Sequence, residues 1–133
     1  MNRARLRKVA LRSLQAECFD RPTEISIVLT SDERIHELNR DYRGVDRPTD
    51  VLAFSQLEGG DIPAGDEIVV LGDVIISVDT AKRQAAERGH SLDDELDLLL
   101  AHGVLHLLGY DDETESGAAE MRKREKKILE QVA

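Results

Sequence analysis

The feature that most constrains the fold is the apolar segment from Leu98 to Leu108, whose only strongly polar side chains are His102 and His106. A helix that is apolar around its whole circumference has to be covered by other elements. Gly109 follows directly and can end a helix in a left-handed turn. The segment therefore predicts a buried central helix that ends near Leu108.

The spacing of the two histidines indicates a shared ligand. Four residues of helix place both imidazoles on one face, about 6 Å apart along the axis. After Gly109 the chain can fold back and offer a carboxylate from Asp111 or Asp112. Two imidazoles and a carboxylate with one open position are typical of a catalytic metal site. The alternative is that each buried histidine is hydrogen-bonded to a carbonyl or a carboxylate of the core.

Gly103 argues against one class of metalloenzyme. Zinc proteases with the H-E-x-x-H motif carry their general-base glutamate directly after the first histidine, and this chain has Gly103 there. Peptide hydrolysis of that type is therefore not expected. A glycine inside a helix costs about 1 kcal/mol relative to alanine. Gly103 thus indicates either close packing against another element or space for a substrate.

The segment His102-Gly-Val-Leu-His106-Leu-Leu-Gly109-Tyr-Asp resembles a signature of the YbeY family, the metal-dependent endoribonucleases of ribosomal RNA maturation. Asn39–Phe54 and Leu71–Ser77 resemble two further signatures of that family, in the same order. The resemblance implies a zinc-dependent endoribonuclease of the single-strand type. It would mature the 3′ end of small-subunit ribosomal RNA and take part in ribosome quality control. Its partners would be ribosomal RNA and ribosomal proteins.

The resemblance also implies which residues form the site. His102 and His106 match two metal ligands of the family, whose third ligand is a histidine where this chain has Asp112. Aspartate is a competent zinc ligand, but two imidazoles and a carboxylate also suit other divalent metals. The identity of the metal is thus left open. Arg43 matches the signature arginine, so the resemblance assigns it the stabilisation of charge on the phosphate. The alternative is that Arg43 is an exposed cation at the negative end of a helix.

Two other functions stay open at this point. The chain could be a different metallohydrolase, or a metal-containing binding module of ribosome assembly that cleaves nothing. The net charge of −9 runs against RNA binding. However, residues 48–119 carry 16 acidic and only 3 basic side chains, so the basic residues concentrate on the first helix, on Arg40–Arg47 and on the last helix. These runs are expected to be solvated helix faces, although an RNA could follow a local basic strip.

The composition predicts a small cytoplasmic enzyme formed by one domain that spans residues 1–133. No apolar run approaches the roughly 18 residues of a membrane span. Cys18 is the only cysteine, which excludes an internal disulfide and suits a reducing compartment. We expect Cys18 to be a small buried residue.

Hydrophobic periodicity and turn residues predict an α+β fold in which a small mixed sheet of three or four strands is covered by about five helices. The metal site would lie on the buried central helix. The predicted helices are 3–19, 32–42, 79–88, 92–108 and 117–132. The predicted strands are 24–30, 51–55 and 68–77, the last with an irregularity at Gly72-Asp73, and residues 57–66 are predicted as a loop.

Overall fold

The computed structural model describes residues 2–57, 62, 65 and 67–132. Within these residues the protein forms five helices and three strands, which confirms the predicted α+β class. The loop predicted for residues 57–66 lies mostly outside the described residues. The elements are α1 (Arg3–Ala16), β1 (Thr23–Thr30), α2 (Asp32–Arg43), β2 (Val51–Ser55), β3 (Val69–Ser77), α3 (Val78–Arg88), α4 (Leu92–Leu107) and α5 (Glu115–Val132).

The sheet is mixed, with β3 in the centre. β1 is parallel to β3, and β2 is antiparallel to it. The register between β1 and β3 shifts at one point. Glu24 pairs with Val70 but Ile25 pairs with Gly72, so Leu71 is an extra residue in β3. Gly72 has a φ of 147°, and a side chain there would collide with the carbonyl oxygen of Phe54. The irregularity predicted beside Gly72 is therefore confirmed.

The central helix α4 lies between the sheet and the pair α1 and α5. Its leucines fill the main core together with Val74 and Ile76 of β3. Gly103 allows α4 to lie close to the sheet, because a Cβ atom at this position would be 2.5 Å from Cγ1 of Val74. The close-packing interpretation of Gly103 is thus confirmed. α2 covers the other face of the sheet, where Ile35 packs with Leu52 and Ile75.

The first helix ends earlier than predicted, at Ala16. The amide of Phe19 donates to the carbonyl of Leu14, and the amide of Cys18 donates to the carbonyl of Gln15. In helix ends with these two hydrogen bonds, the residue with the left-handed backbone conformation is usually a glycine. Here Cys18 occupies that position with a φ of 58°. The expectation that Cys18 is buried was wrong, because the helix end places its side chain in solvent.

The last helix begins two residues before the predicted start, at Glu115. The hydroxyl of Thr114 accepts from the amide of Gly117 at 3.0 Å and so caps the first turn. None of the helices in the described part of the chain has the length and apolar character needed to cross a membrane.

Candidate metal centre

The end of α4 brings a carboxylate back to the two histidines. The amide of Tyr110 donates to the carbonyl of Leu105, and that of Gly109 donates to His106, each at 3.0 Å. Gly109 has a φ of 103°, which glycine adopts without the steric cost that a side chain would add. This turn reverses the chain. Asp112 consequently lies beside the face of α4 that carries His102 and His106.

Three donor atoms converge at this point. The Nε2 atoms of His102 and His106 are 3.0 Å apart, and Oδ2 of Asp112 lies 3.4 Å and 3.7 Å from them. Ligand atoms of a tetrahedral site with bonds of about 2.0–2.1 Å are about 3.3–3.4 Å from one another. The three atoms therefore have the spacing of three corners of such a site. The Asp112 side chain is 45% exposed, which leaves the remaining side open to solvent.

The buried carboxylate of Glu125 orients His102. Its Oε1 atom lies 2.6 Å from Nδ1 of His102, and the Glu125 side chain is only 7% exposed. An ionised carboxylate can only accept, so Nδ1 donates to Glu125. In the neutral ring the lone pair is therefore on Nε2, which faces His106 and Asp112. Carboxylate–histidine pairs of this kind are the usual support of metal-binding imidazoles.

Sequence reasoning missed Glu125, although the sequence contained a signal for it. Met121, Glu125 and Ile128 are buried on α5, and their spacing of four and three residues forms one helical face. An acidic residue within such an apolar stripe is rarely buried unless it is paired. The stripe therefore indicates that Glu125 has a polar partner, but it does not identify His102.

The two histidines have opposite electrostatic environments. Burial by itself lowers the pKa of His102, but the hydrogen bond and the charge of Glu125, with the charge of Asp112, outweigh it and raise that pKa above its ordinary value. For His106, burial and the neighbouring His102 together lower the pKa. His106 therefore loses its proton more readily than His102 does, and a metal ion would displace a proton chiefly from His102.

The loop that carries Asp112 is held by α1 and α5. The hydroxyl of Tyr110 donates to Glu17, and Arg124 donates to the same carboxylate at 2.8 Å. The guanidinium of Arg124 also lies 4.9 Å from the centre of the Tyr110 ring. Asp111 is turned away, since it accepts from the amide of Glu113 within its own loop. Arg124 and Glu125 are neighbours, so one turn of α5 supports both the loop and His102.

Arg43 lies in the same cleft as these ligand atoms. It is the last residue of α2, and Gly44 ends that helix in the left-handed conformation. Its Nη2 atom donates to the carbonyl of Ala53 at 2.8 Å, and its guanidinium is 5.6 Å from the centre of the Phe54 ring. The cleft has a volume of about 310 Å³, and its lining includes His102, His106, Asp112, Gly103 and Arg47.

The structure thus brings together all four residues that the sequence predicted for the site. Two imidazoles and a carboxylate fit a divalent ion such as zinc by ligand type and by spacing. Only one donor of Arg43 is bonded to Ala53, so the rest of its planar fork can bind an anion. Gly103 also lines the cleft, but the space that a side chain at this position would need is occupied by Val74. The arrangement can hold a metal ion and a phosphate side by side.

Comparisons with known proteins point to one family. The model of the family described as Endoribonuclease YbeY matches residues 2–133. The Endoribonuclease YbeY of Pelotomaculum thermopropionicum is 49% identical over 124 residues, which cover 93% of this chain and 82% of the relative. That of Moorella thermoacetica is 52% identical over 130 residues, with the same two coverages of 93% and 82%. The solution structure of TM1509 from Thermotoga maritima matches with a TM-score of 0.64 at 30% identity, over 96% of this chain and 78% of the other.

Proposed function

The chain belongs to the YbeY family of endoribonucleases, and we propose that it cleaves single-stranded ribosomal RNA with one divalent ion held by His102, His106 and Asp112. The observation that carries the proposal is the convergence of two Nε2 atoms and one carboxylate oxygen within 3.7 Å, in the cleft that Arg43 lines. We propose zinc as the ion, since imidazole nitrogen and carboxylate oxygen are both common zinc donors.

The metal would supply the charge that phosphodiester cleavage requires. When bound, a divalent ion polarises a phosphoryl oxygen or lowers the pKa of a water molecule towards about 7. His102 contributes Nε2 because Glu125 holds the Nδ1 proton. Asp112 contributes a negative ligand in place of the family's histidine, which reduces the net charge of the loaded site by one. The loop bonds of Tyr110 and Arg124 keep Asp112 within reach of the histidines.

Arg43 would bind the phosphate at the cleavage point. The bond to the Ala53 carbonyl and the contact with Phe54 restrict its guanidinium to the cleft. A planar guanidinium binds two phosphate oxygens at once, and a fixed donor stabilises charge that develops during the reaction. Arg43 therefore acts on the phosphate, while the histidines and Asp112 act on the metal.

The substrate we propose is the 3′ end of small-subunit ribosomal RNA, in the cytoplasm and with ribosomal proteins nearby. Three considerations support this setting. The family named above consists of endoribonucleases, and the single cysteine suits a reducing compartment. The acidic balance of residues 48–119 would also complement basic ribosomal proteins. A role in ribosome quality control belongs to the same proposal.

Cleavage by purified protein tests the proposal. Chelator-treated protein is reloaded with zinc and incubated with a single-stranded and a duplex oligoribonucleotide. We expect zinc-dependent cleavage of the single strand only, and none with His106→Ala that has the same circular dichroism spectrum. Cleavage that persists in His106→Ala would trace the activity to a contaminant. Binding of zinc and RNA without any cleavage would favour the binding module over the enzyme.

A further inference from the structure

We propose that a second groove, between α4 and α5, binds the RNA strand next to the cleavage point through the side chains of Arg122 and Lys126. The groove has a volume of about 730 Å³ and meets the Arg43 cleft at Asp50, His102 and Asp112, which line both. This inference rests on the proposed function and deepens it. It assigns a phosphate-binding subsite to a helix that contributes no metal ligand.

Position is the first argument. Glu125 of α5 contacts His102 at 2.6 Å. Arg122 lies three residues before Glu125 on this helix, and Lys126 lies directly after it. Both basic residues line the groove. They are separated by about 6 Å along the helix axis, one turn apart. A strand whose phosphate lies at the metal centre would thus extend directly past two further cations.

The lack of a partner for these two cations is the second argument. Within the described residues, the salt bridges of α5 arginines and lysines are all made by Arg124, with Glu17 and Glu120. Two like charges four residues apart on a helix repel each other, and no described carboxylate within 4 Å relieves this repulsion at Arg122 and Lys126. Arg88 also lines the groove, but it is bonded to Glu95 at 2.7 Å.

The floor of the groove is suited to nucleosides rather than to a second charged surface. Its apolar part is formed by aliphatic side chains of α4 and α5, namely Leu98, Leu99, Met121 and Leu129. Such a floor contacts the faces of bases and riboses without reading their hydrogen-bonding edges. We therefore expect binding here to depend weakly on base sequence. Glu130 lies one turn beyond Lys126 and also lines the groove, so the basic stretch ends there.

The chain as a whole carries a net charge of −9, so cations beside the metal centre do not simply reflect a basic surface. Arg43 and Arg47 line the first cleft, while Arg122 and Lys126 line the second groove. Among the described residues none of these four side chains forms a salt bridge, so positive charge is present on both sides of His102 and Asp112. A polyanion that crosses the metal centre satisfies both sides, and counterion release from its phosphates would supply affinity.

Two double variants of α5 test the subsite. Arg122→Ala with Lys126→Ala removes the groove cations. Lys123→Ala with Lys127→Ala removes the same charge from exposed positions of the same helix that do not line the groove. All four residues are exposed, so both variants should fold. The affinity of each metal-free protein for a fluorescent single-stranded oligoribonucleotide is measured by anisotropy at several salt concentrations.

The groove variant should bind RNA about tenfold more weakly, and the slope of log affinity against log salt should fall by about 1.4, which is about 0.7 for each lost phosphate contact. The control variant should keep the wild-type slope. With zinc-loaded protein, the groove variant should raise KM for the same RNA and leave kcat within about twofold. Equal slopes and equal KM values in the two variants would overturn the subsite. Zinc-dependent cleavage by the wild type in that experiment would still leave the proposed function standing, whereas its absence would refute that function itself.

Discussion

The carboxylate of Glu125 lies 2.6 Å from Nδ1 of His102, although the two residues are 23 positions apart in the chain. This contact joins α5 to α4 at the candidate metal centre. It determines which nitrogen of His102 carries a proton and therefore which nitrogen is free to bind a metal. The last helix thus takes part in the metal centre without supplying a ligand.

Replacement of Glu125 should weaken metal binding. Glu125→Gln keeps an oxygen that can accept from Nδ1 but removes the negative charge, whereas Glu125→Ala removes both. We expect a loss of zinc affinity of about 10–100-fold for the alanine variant and a smaller loss for the glutamine variant, measured by competition with a chromophoric chelator. Glu130→Gln is the matched control, because it removes an exposed acidic charge from the same helix.

The nitrogen chemical shifts of His102 provide a second readout for this pair. In the metal-free wild type the neutral ring should carry its proton on Nδ1, and in Glu125→Ala it should become a mixture of tautomers. Zinc affinity and tautomer that both stay unchanged in Glu125→Ala would show that Glu125 only fills space beneath His102.

The identity of the third ligand gives a prediction for Asp112. Asp112→Ala leaves only two imidazoles and should lose zinc binding, whereas Asp112→His restores the family's pattern and should bind zinc at least as tightly as the wild type. Asp111→Ala is the control, because Asp111 accepts from the amide of Glu113 and does not belong to the cluster. Loss of zinc in Asp111→Ala but not in Asp112→Ala would transfer the ligand role to Asp111.

Zinc binding should depend on pH around the titration of His102. Glu125 and Asp112 raise the pKa of His102 above 6.5, so protons begin to compete with the metal above that pH. Affinity should therefore fall steadily as the pH decreases from 8 to 6. An affinity that stays constant over this range would contradict the raised pKa.

The raised pKa of His102 also makes the stability of the metal-free protein depend on pH. A raised pKa in the folded state stabilises the fold below the unfolded pKa of about 6.5, and this stabilisation is lost as the pH rises through the folded pKa. Urea denaturation should accordingly show that Glu125→Gln destabilises the protein more at pH 6 than at pH 8.

The sequence predicted those parts of the structure that depend on local pattern. The apolar segment between Leu98 and Leu108 is the buried helix α4, and Gly109 ends it in the expected left-handed turn. The three strands of the sheet also lie within one residue of the predicted segments 24–30, 51–55 and 68–77. These features are encoded by periodicity and by glycine positions, so they can be read without knowledge of distant contacts.

The parts that escaped prediction depend on contacts between distant residues or on a residue in an unusual conformation. Glu125 pairs with a histidine on another helix, and its own segment shows only that an acid interrupts an apolar stripe. Cys18 adopts the left-handed conformation that glycine normally marks, so the end of α1 carried no signal. The capping of α5 by Thr114 similarly moved the start of that helix by two residues.

Substitution of Arg43 separates phosphate binding from metal binding. Arg43→Ala should retain the fold and the zinc affinity, while single-turnover cleavage of a single-stranded RNA falls by about 10²–10³-fold, as for the loss of one oxyanion donor. Arg43→Lys keeps the charge but not the fork and should also be impaired. Melting temperatures measured on the same samples report on the fold. Cleavage at the wild-type rate in Arg43→Ala would remove Arg43 from the mechanism.

The most direct test of the account is a stoichiometric titration of zinc into metal-free protein, with occupancy and RNA cleavage measured on the same samples. We predict that the cleavage rate rises in proportion to bound zinc, reaches its maximum at one ion per chain, and stays at background throughout in His106→Ala. Cleavage that is already maximal before zinc is added, or that continues to rise well beyond one bound ion, would contradict a single metal centre formed by His102, His106 and Asp112.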